Sequence, residues 1–329
     1  MPLETNRRPS LELQERDLAI FRGLFESRLM TLDHIARLYF ANQYEAAKKR
    51  IQRLKAERFL RERARRVYEP SILHLSHRAF DELSRRGHLK EYPQYAWNQL
   101  EDRANVSDLT LRHELDVLEV KTALSCAVRT ASQLELLEFS TWPALYQFEA
   151  AQPPRPGKHG SRVTVKPDGF VRLYEHANED DTFEHFLFLE VDRSTEPRDI
   201  LALRTYGYQD YYRRGGLAVK YGSTAEEYKD FPFRVLIVLP NDERRNNMAA
   251  RLLQNTPPVL TMVWLTTFQE ITTDPLGAIW MRPIDYKEIT EGTPYDPSRE
   301  RTGAYRRQPE REELVEKRLS KRQLFGETD

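Results

Sequence analysis

The stretch Val163-Thr164-Val165-Lys166-Pro167-Asp168-Gly169-Phe170-Val171-Arg172-Leu173-Tyr174, followed beyond the polar run Ala177 to Thr182 by Phe186-Leu187-Phe188-Leu189-Glu190-Val191-Asp192, decides how the chain is read. Two apolar arms on either side of a short acidic run predict an antiparallel hairpin. With the turn centred near Asp180, counting outward sets Asp168 opposite Asp192, with Glu190 one step along the same face. Three carboxylates then converge. Like charges facing each other across a ladder cost stability, so such a cluster calls for a cation between them.

Behind the hairpin, Thr195 suits a cap and Pro197 a first helical position, and Ile200, Leu201, Leu203, Tyr208, Tyr211 and Tyr212 recur at helical spacing until Gly215-Gly216. Arg204 is four residues from both Ile200 and Tyr208, on the stripe that packs toward the sheet, so a cation is expected to point at the acidic cluster. Pro-Asp, followed on the paired strand by Glu-x and a cation, resembles the site of PD-(D/E)xK nucleases, where an acidic pair holds a divalent metal and a lysine positions or activates water. Asp192 stands at the lysine position here, and the basic candidates are Lys166, Arg193 and Arg204. Leu189-Glu190-Val191-Asp192-Arg193-Ser194-Thr195-Glu196, followed by a helix with a basic residue and tyrosines, resembles the replication-relaxation family of plasmids and other mobile elements. That resemblance implies a lysine at the position of Arg204. Arginine stays charged and is a poor proton acceptor, which weakens catalysis. A working metal site, an inactivated nuclease scaffold and a structural salt-bridge cluster all remain open.

The chain has 329 residues, enough for about two domains with their own cores, and its formal net charge is zero. Its single cysteine, Cys126, excludes an internal disulfide and fits a reducing cytoplasm. No apolar run approaches the roughly twenty residues of a membrane span, and the N-terminus lacks a signal-peptide core. A soluble cytoplasmic protein is expected. There is no glycine-rich phosphate loop, no zinc spacing and no serine nucleophile elbow.

Leu13, Leu18, Ile20, Phe21, Leu24 and Phe25 predict an amphipathic helix over 12–27, and a second starts at Thr31. Asn42 precedes Glu45 by three, a start signal for a third helix through Ala47, Ile51 and Leu54. Extended Arg66-Val67-Tyr68, the turn Glu69-Pro70-Ser71 and extended Ile72 to Leu75 then complete the pattern of a winged helix-turn-helix, with a further helix from Arg78 to Arg86. Lys48, Lys49, Arg50, Arg53, Lys55, Arg58, Arg61, Arg63, Arg65 and Arg66 face only Glu57 and Glu62 in sequence, an asymmetry that favours a phosphate-binding surface over a plain solvated face. A basic helix fits the major groove of B-form DNA, whereas A-form RNA closes that groove.

Residues 91–109 lack a clear period and read as a linker. A helix from Thr110 to about Ala127 carries His113 and Glu114. In restriction-endonuclease-like folds such a helix often adds an acidic metal ligand, which nominates Glu114; the alternative is a surface Glu beside a buried His. Leu134 to Phe139, or Leu145 to Phe148, supplies a first strand, and Ala151 to Ser161 reads as a basic loop. After the helix with Arg204, Phe233 to Leu239 and Val259 to Leu265 read as buried parallel strands, with a helix capped by Asn241-Asp242 between them and another opening at Thr267. The tail, rich in Arg, Glu, Pro and Gly, reads as disordered or as a solvated helix over 311–322.

The expected architecture is α/β: a winged helix-turn-helix over 1–90, a linker over 91–109, a restriction-endonuclease-like domain with a mixed central sheet over 110–290, and a charged tail over 291–329. Two functions are carried forward. One is a Mg2+- or Mn2+-dependent DNA endonuclease in which Asp168 and Glu190 hold the metal, Asp192 assists and Arg204 or Lys166 stabilises phosphate charge. The other is a DNA-binding regulator whose nuclease-like scaffold serves dimerisation or partner binding. Double-stranded DNA is the expected partner, with a homodimer and mobile-element replication or transfer proteins as further candidates and no membrane association.

Overall fold

The computed structural model describes residues 11–65, 67–101, 106–151, 162–177, 181–193, 198–290 and 322–325. The chain divides into two compact units, Met1–Leu118 and Glu119–Asp329.

In the first unit, α1 (Glu15–Ser27) buries Leu18, Phe21, Leu24 and Phe25 along one stripe. It is followed by β1 (Met30–Thr31), α2 (Leu32–Tyr39), α3 (Tyr44–Ala56), β2 (Leu60–Glu62), β3 (Ile72–Leu75) and α4 (His77–Arg85). The strands form an antiparallel sheet in the order β1-β3-β2, with Met30 opposite Leu73 and Leu60 opposite Leu75. Thr31 caps α2 as its sequence suggests, its side chain accepting from the His34 amide. Asn42 does not cap α3. Ala41 and Asn42 make the turn between α2 and α3 with φ of 48° and 65°, and Gln43 precedes the helix without a side-chain cap. Asn tolerates that left-handed conformation, which is why a turn residue resembled a cap.

The expected linker is in part folded onto this unit. Tyr92 and Leu100 are buried, the rings of Tyr92 and Tyr95 pack on Phe25, and Trp97, the first residue of the short α5 (Trp97–Leu100), stacks on His77. Irregularly spaced aromatic rings carry no helical or strand period, so this packing has no periodic signature. The division between units falls inside α6 (Asp108–Thr130) rather than ahead of it.

The second unit is built on a five-stranded mixed sheet in the order β10-β9-β8-β7-β4. β7 (Gly169–His176) runs antiparallel to both β4 (Leu134–Ser140) and β8 (Thr182–Val191), and β9 (Phe233–Leu239) and β10 (Val263–Thr267) continue parallel to β8. The α/β class and the mixed sheet are as the sequence predicts. Of the two candidate first strands, Leu134 to Phe139 is β4 and joins this sheet, whereas Leu145 to Phe148 is a turn up to its last residue, where another strand begins. β5 (Phe148–Ala151) pairs with β6 (Arg162–Val165) in a separate ribbon, so Val163 and Val165 leave the predicted hairpin. Pro167 lacks the N–H a ladder needs, and the chain breaks there between β6 and β7.

The sheet's core face is aromatic. Phe186 and Phe188 of β8 and Phe233, Val235 and Ile237 of β9 meet Leu201, Ala202, Tyr208 and Tyr211 of α7 (Arg198–Arg213). α7 ends where Gly215 takes φ +65°, a position where an added Cβ would lie 2.5 Å from the Ala225 Cα. α8 (Gly216–Lys220), a 3-10 turn over Ala225–Asp230, α9 (Asp242–Leu253), α10 (Phe268–Thr273) and α11 (Pro283–Thr290) complete the unit. Asn241 and Thr267 cap α9 and α10 through their side chains, as their sequence positions suggest. Part of the tail also belongs to the fold. Trp280 and Arg322 exchange backbone hydrogen bonds of 3.1 and 2.8 Å, and Leu324 and Phe325 are buried. The loop predicted after Ala151, the positions Thr195 and Pro197, and the predicted tail helix up to residue 321 lie outside the described residues.

Candidate functional site

The β7–β8 register places Gly169 opposite Leu189 and His176 opposite Thr182, and the Ala177 amide donates to the Asp181 carbonyl at 2.9 Å. One step beyond the ladder, the same register sets Asp168 opposite Glu190 and not Asp192. The ladder is displaced by one residue from a centre at Asp180, and a one-residue displacement of the centre moves every partner by two.

Asp168 closes the end of the ladder, its Oδ2 accepting from the Val191 amide at 2.8 Å. Glu190 is 1% exposed. Its Oε2 accepts from Arg204 Nη1 at 2.9 Å and its Oε1 from the Tyr208 hydroxyl at 2.6 Å. Arg204 and Tyr208 are one turn apart on α7, so the helix face that covers the sheet delivers a cation and a hydroxyl together. Burial pushes the Glu190 carboxyl up to about 7, against the pull of the Arg204 charge; Asp168 adds to the rise, and the hydrogen bonds from Tyr208 and Arg204 oppose it. Burial, then the charge of Glu190, raises the Tyr208 hydroxyl well above its ordinary value, so it remains a donor.

The third carboxylate does not join this pair. Asp192 accepts from Arg244 Nε of α9 at 2.6 Å, and its amide donates to the Val238 carbonyl at 2.9 Å. β8 ends at Val191, so the alternation that would align residues 190 and 192 no longer applies. Among the described residues no group of three His, Cys, Asp or Glu side chains is placed to hold a metal ion. Lys166 is exposed and makes no ion pair with a described residue, and Arg193 is half-buried. Glu114 lies in the first unit, buried, 3.3 Å from Arg28 Nη1, and His113 is half-buried, so the alternative of a surface Glu beside a buried His is reversed. A divalent ion needs several free oxygen ligands. Both oxygens of Glu190 and one of Asp168 already accept hydrogen bonds, and the cation beside Glu190 is Arg204.

The nominated basic residues separate into two sets. Lys49, Arg53, Arg58 and Arg61 are exposed and make no ion pair with a described residue, and Lys48 is half-exposed with only Glu45 at 3.5 Å. Arg58 and Arg61 line an open hollow with Lys55 and Arg78 beside the start of α4. The second set is committed internally. Arg50 grips Asp17 with two nitrogens and reaches the Glu12 carbonyl at 2.9 Å. Lys55 and Arg65 both bind Glu62, and Arg63 donates to the Val106 carbonyl at 2.9 Å. Arg66 lies outside the described residues.

Tyr208, Arg244 and Asp17 were not nominated from sequence. Tyr208 sits four residues after Arg204 on one stripe, and Asp17 interrupts the apolar stripe of α1; both are signals of a polar partner in the core. Arg244 has no such signal.

The family model for replication-relaxation matches residues 21–225, from α1 through α8 and into the 3-10 turn. The chain belongs to the replication-relaxation family. No curated protein and no solved structure matches it. The match takes in Asp168, Glu190, Arg204 and every nominated basic residue, and membership ties this replication-relaxation protein to replication or relaxation. Among its described residues no helix is long and apolar enough to cross a membrane.

Proposed function

We propose that this chain is a DNA-binding protein of replication or relaxation. Its first unit grips duplex DNA as a winged helix-turn-helix, and its second is a restriction-endonuclease-like scaffold that does not cut. The observation that carries the second half is Glu190, buried with Arg204 and Tyr208 on its two oxygens. An arginine in the cation's place neutralises one carboxylate but offers neither a Lewis acid nor a base. The DNA half is supported by the order of three helices and a three-stranded sheet, and by exposed Lys49 and Arg53 on α3.

Substituting Lys49 and Arg53 together by alanine is expected to weaken binding to any duplex sequence alike, and to flatten the plot of log affinity against log salt by about one unit per lost phosphate contact. An unchanged slope, measured by anisotropy from low to moderate salt, would move the DNA surface elsewhere. Mg2+ or Mn2+ at millimolar concentration is expected to leave the melting temperature unchanged, since only an ion that binds the folded chain raises it. Nicking of supercoiled plasmid that Asp168→Ala abolishes would overturn the scaffold reading and restore the endonuclease.

A further inference from the structure

Residues 63–71 join β2 to β3, and the connection displays Val67 and Tyr68, which are 96% and 77% exposed. Beneath them the connection is tied together. Glu62 gathers Lys55, Arg65 Nε at 2.8 Å and Ser71 Oγ at 2.7 Å, while Arg65 Nη1 donates to the carbonyls of Val67 at 3.3 Å and Glu69 at 2.8 Å. Arg65, nominated for phosphate contact, is spent on holding this turn. The turn is thus preorganised, although what it presents to water is a β-branched side chain and an aromatic ring. The strand leading into it carries Arg61, exposed and without an ion pair to a described residue.

An exposed aromatic tip on a tied turn, entered from a strand that carries an exposed cation, matches one ligand chemistry. Inside a duplex both faces of every base are covered by neighbours, so a ring has nothing to stack on. A base at a fork, a nick or a frayed end has an uncovered face. Aromatic side chains stack on such faces with little regard to sequence, and neighbouring cations hold the backbone. Apolar side chains also wedge against the base step they open. We infer that the Val67–Tyr68 tip is a platform for an unpaired base at a junction between duplex and single strand, with the Tyr68 ring on the base face and Val67 against the last pair. This rests on the reading of the first unit as a DNA binder, and it adds a preference for DNA structure.

The test uses the full chain, a forked DNA carrying 2-aminopurine at the first unpaired position, and the fully paired duplex of the same sequence. Wild type is expected to prefer the fork and to change the 2-aminopurine fluorescence. Tyr68→Ala is expected to lose about tenfold in fork affinity and the fluorescence change, while duplex affinity moves less than about twofold. Tyr68→Trp should keep both. The Tyr68 side chain is 77% exposed, so both changes fall at the surface. If wild type binds the two DNAs equally, or Tyr68→Ala weakens both alike, the platform is overturned and the DNA-binding reading stands. If wild type binds neither, that reading itself fails. Wild-type fork preference that survives Tyr68→Ala would assign the preference to another surface and likewise overturn this one.

Discussion

Arg204→Ala is expected to destabilise the second unit by about 3 kcal/mol at pH 8 and by much less at pH 5. The difference follows from Glu190. Its folded carboxyl is pushed up to about 7, above the ordinary 4.5, chiefly by burial. The folded state therefore binds this proton more tightly than the unfolded chain, and the group's contribution to stability is fully present below about 4.5 and lost as pH rises through about 7. At pH 5 the buried group is neutral and Arg204 partners an uncharged acid. At pH 8 it is ionised, and removing Arg204 leaves a charge at 1% exposure with Tyr208 as its remaining donor from α7. The 34% exposure of the Arg204 side chain keeps the expected loss at the low end for a broken buried pair. Urea denaturation at the two pH values, with Glu190→Gln as comparator, checks this. Glu190→Gln should flatten the decline of stability between about pH 5 and pH 7 and make Arg204→Ala nearly harmless. An equal loss at both pH values would show that Arg204 acts through packing alone.

Asp17→Ala is expected to cost the first unit about 3 to 4 kcal/mol, enough to unfold a domain of ordinary stability in part at ambient temperature. Asp17 is fully buried. Its carboxylate takes two nitrogens of Arg50 from α3 and also accepts from the Gln14 amide at 2.8 Å, which closes the start of α1. The hydrogen bond to Asp17 raises the Arg50 guanidinium above its ordinary value, against burial, so Arg50 stays charged. Truncating Asp17 removes a cap and strands a cation. Lys49→Ala, one residue from Arg50 in sequence but on the exposed side of α3, is expected to leave the melting temperature within a degree or two. A loss below about 1 kcal/mol for Asp17→Ala would show that water replaces the carboxylate, and would return Arg50 to the set of phosphate contacts.

The pair shows where local sequence stops being informative. Periodicity found α1, α3 and α7 because their apolar residues repeat at helical spacing, and Thr31, Asn241 and Thr267 marked helix starts because a cap is a contact within three residues. The succession β7, β8, α7, β9, α9, β10 was equally legible, and with it the mixed sheet. Pairings over long separations were not. Nothing near Asp192 announces Arg244, 52 positions on, and nothing near Arg50 announces Asp17, 33 positions back. Hairpin register depends on where a turn is centred, and a run of polar residues leaves that free by one. Here one residue exchanged Asp192 for Glu190 opposite Asp168.

The anchoring of residues 322–325 bears on where the chain can be cut short. Arg322 pairs with the backbone of Trp280 and reaches Asp285 of α11, while the Phe325 ring packs edge-on against His185. A stop codon just after residue 321 would remove Leu324 and Phe325 from buried positions and take the backbone partner from Trp280. The second unit is therefore finished only when these four residues have been made, long after the sheet they brace has left the ribosome.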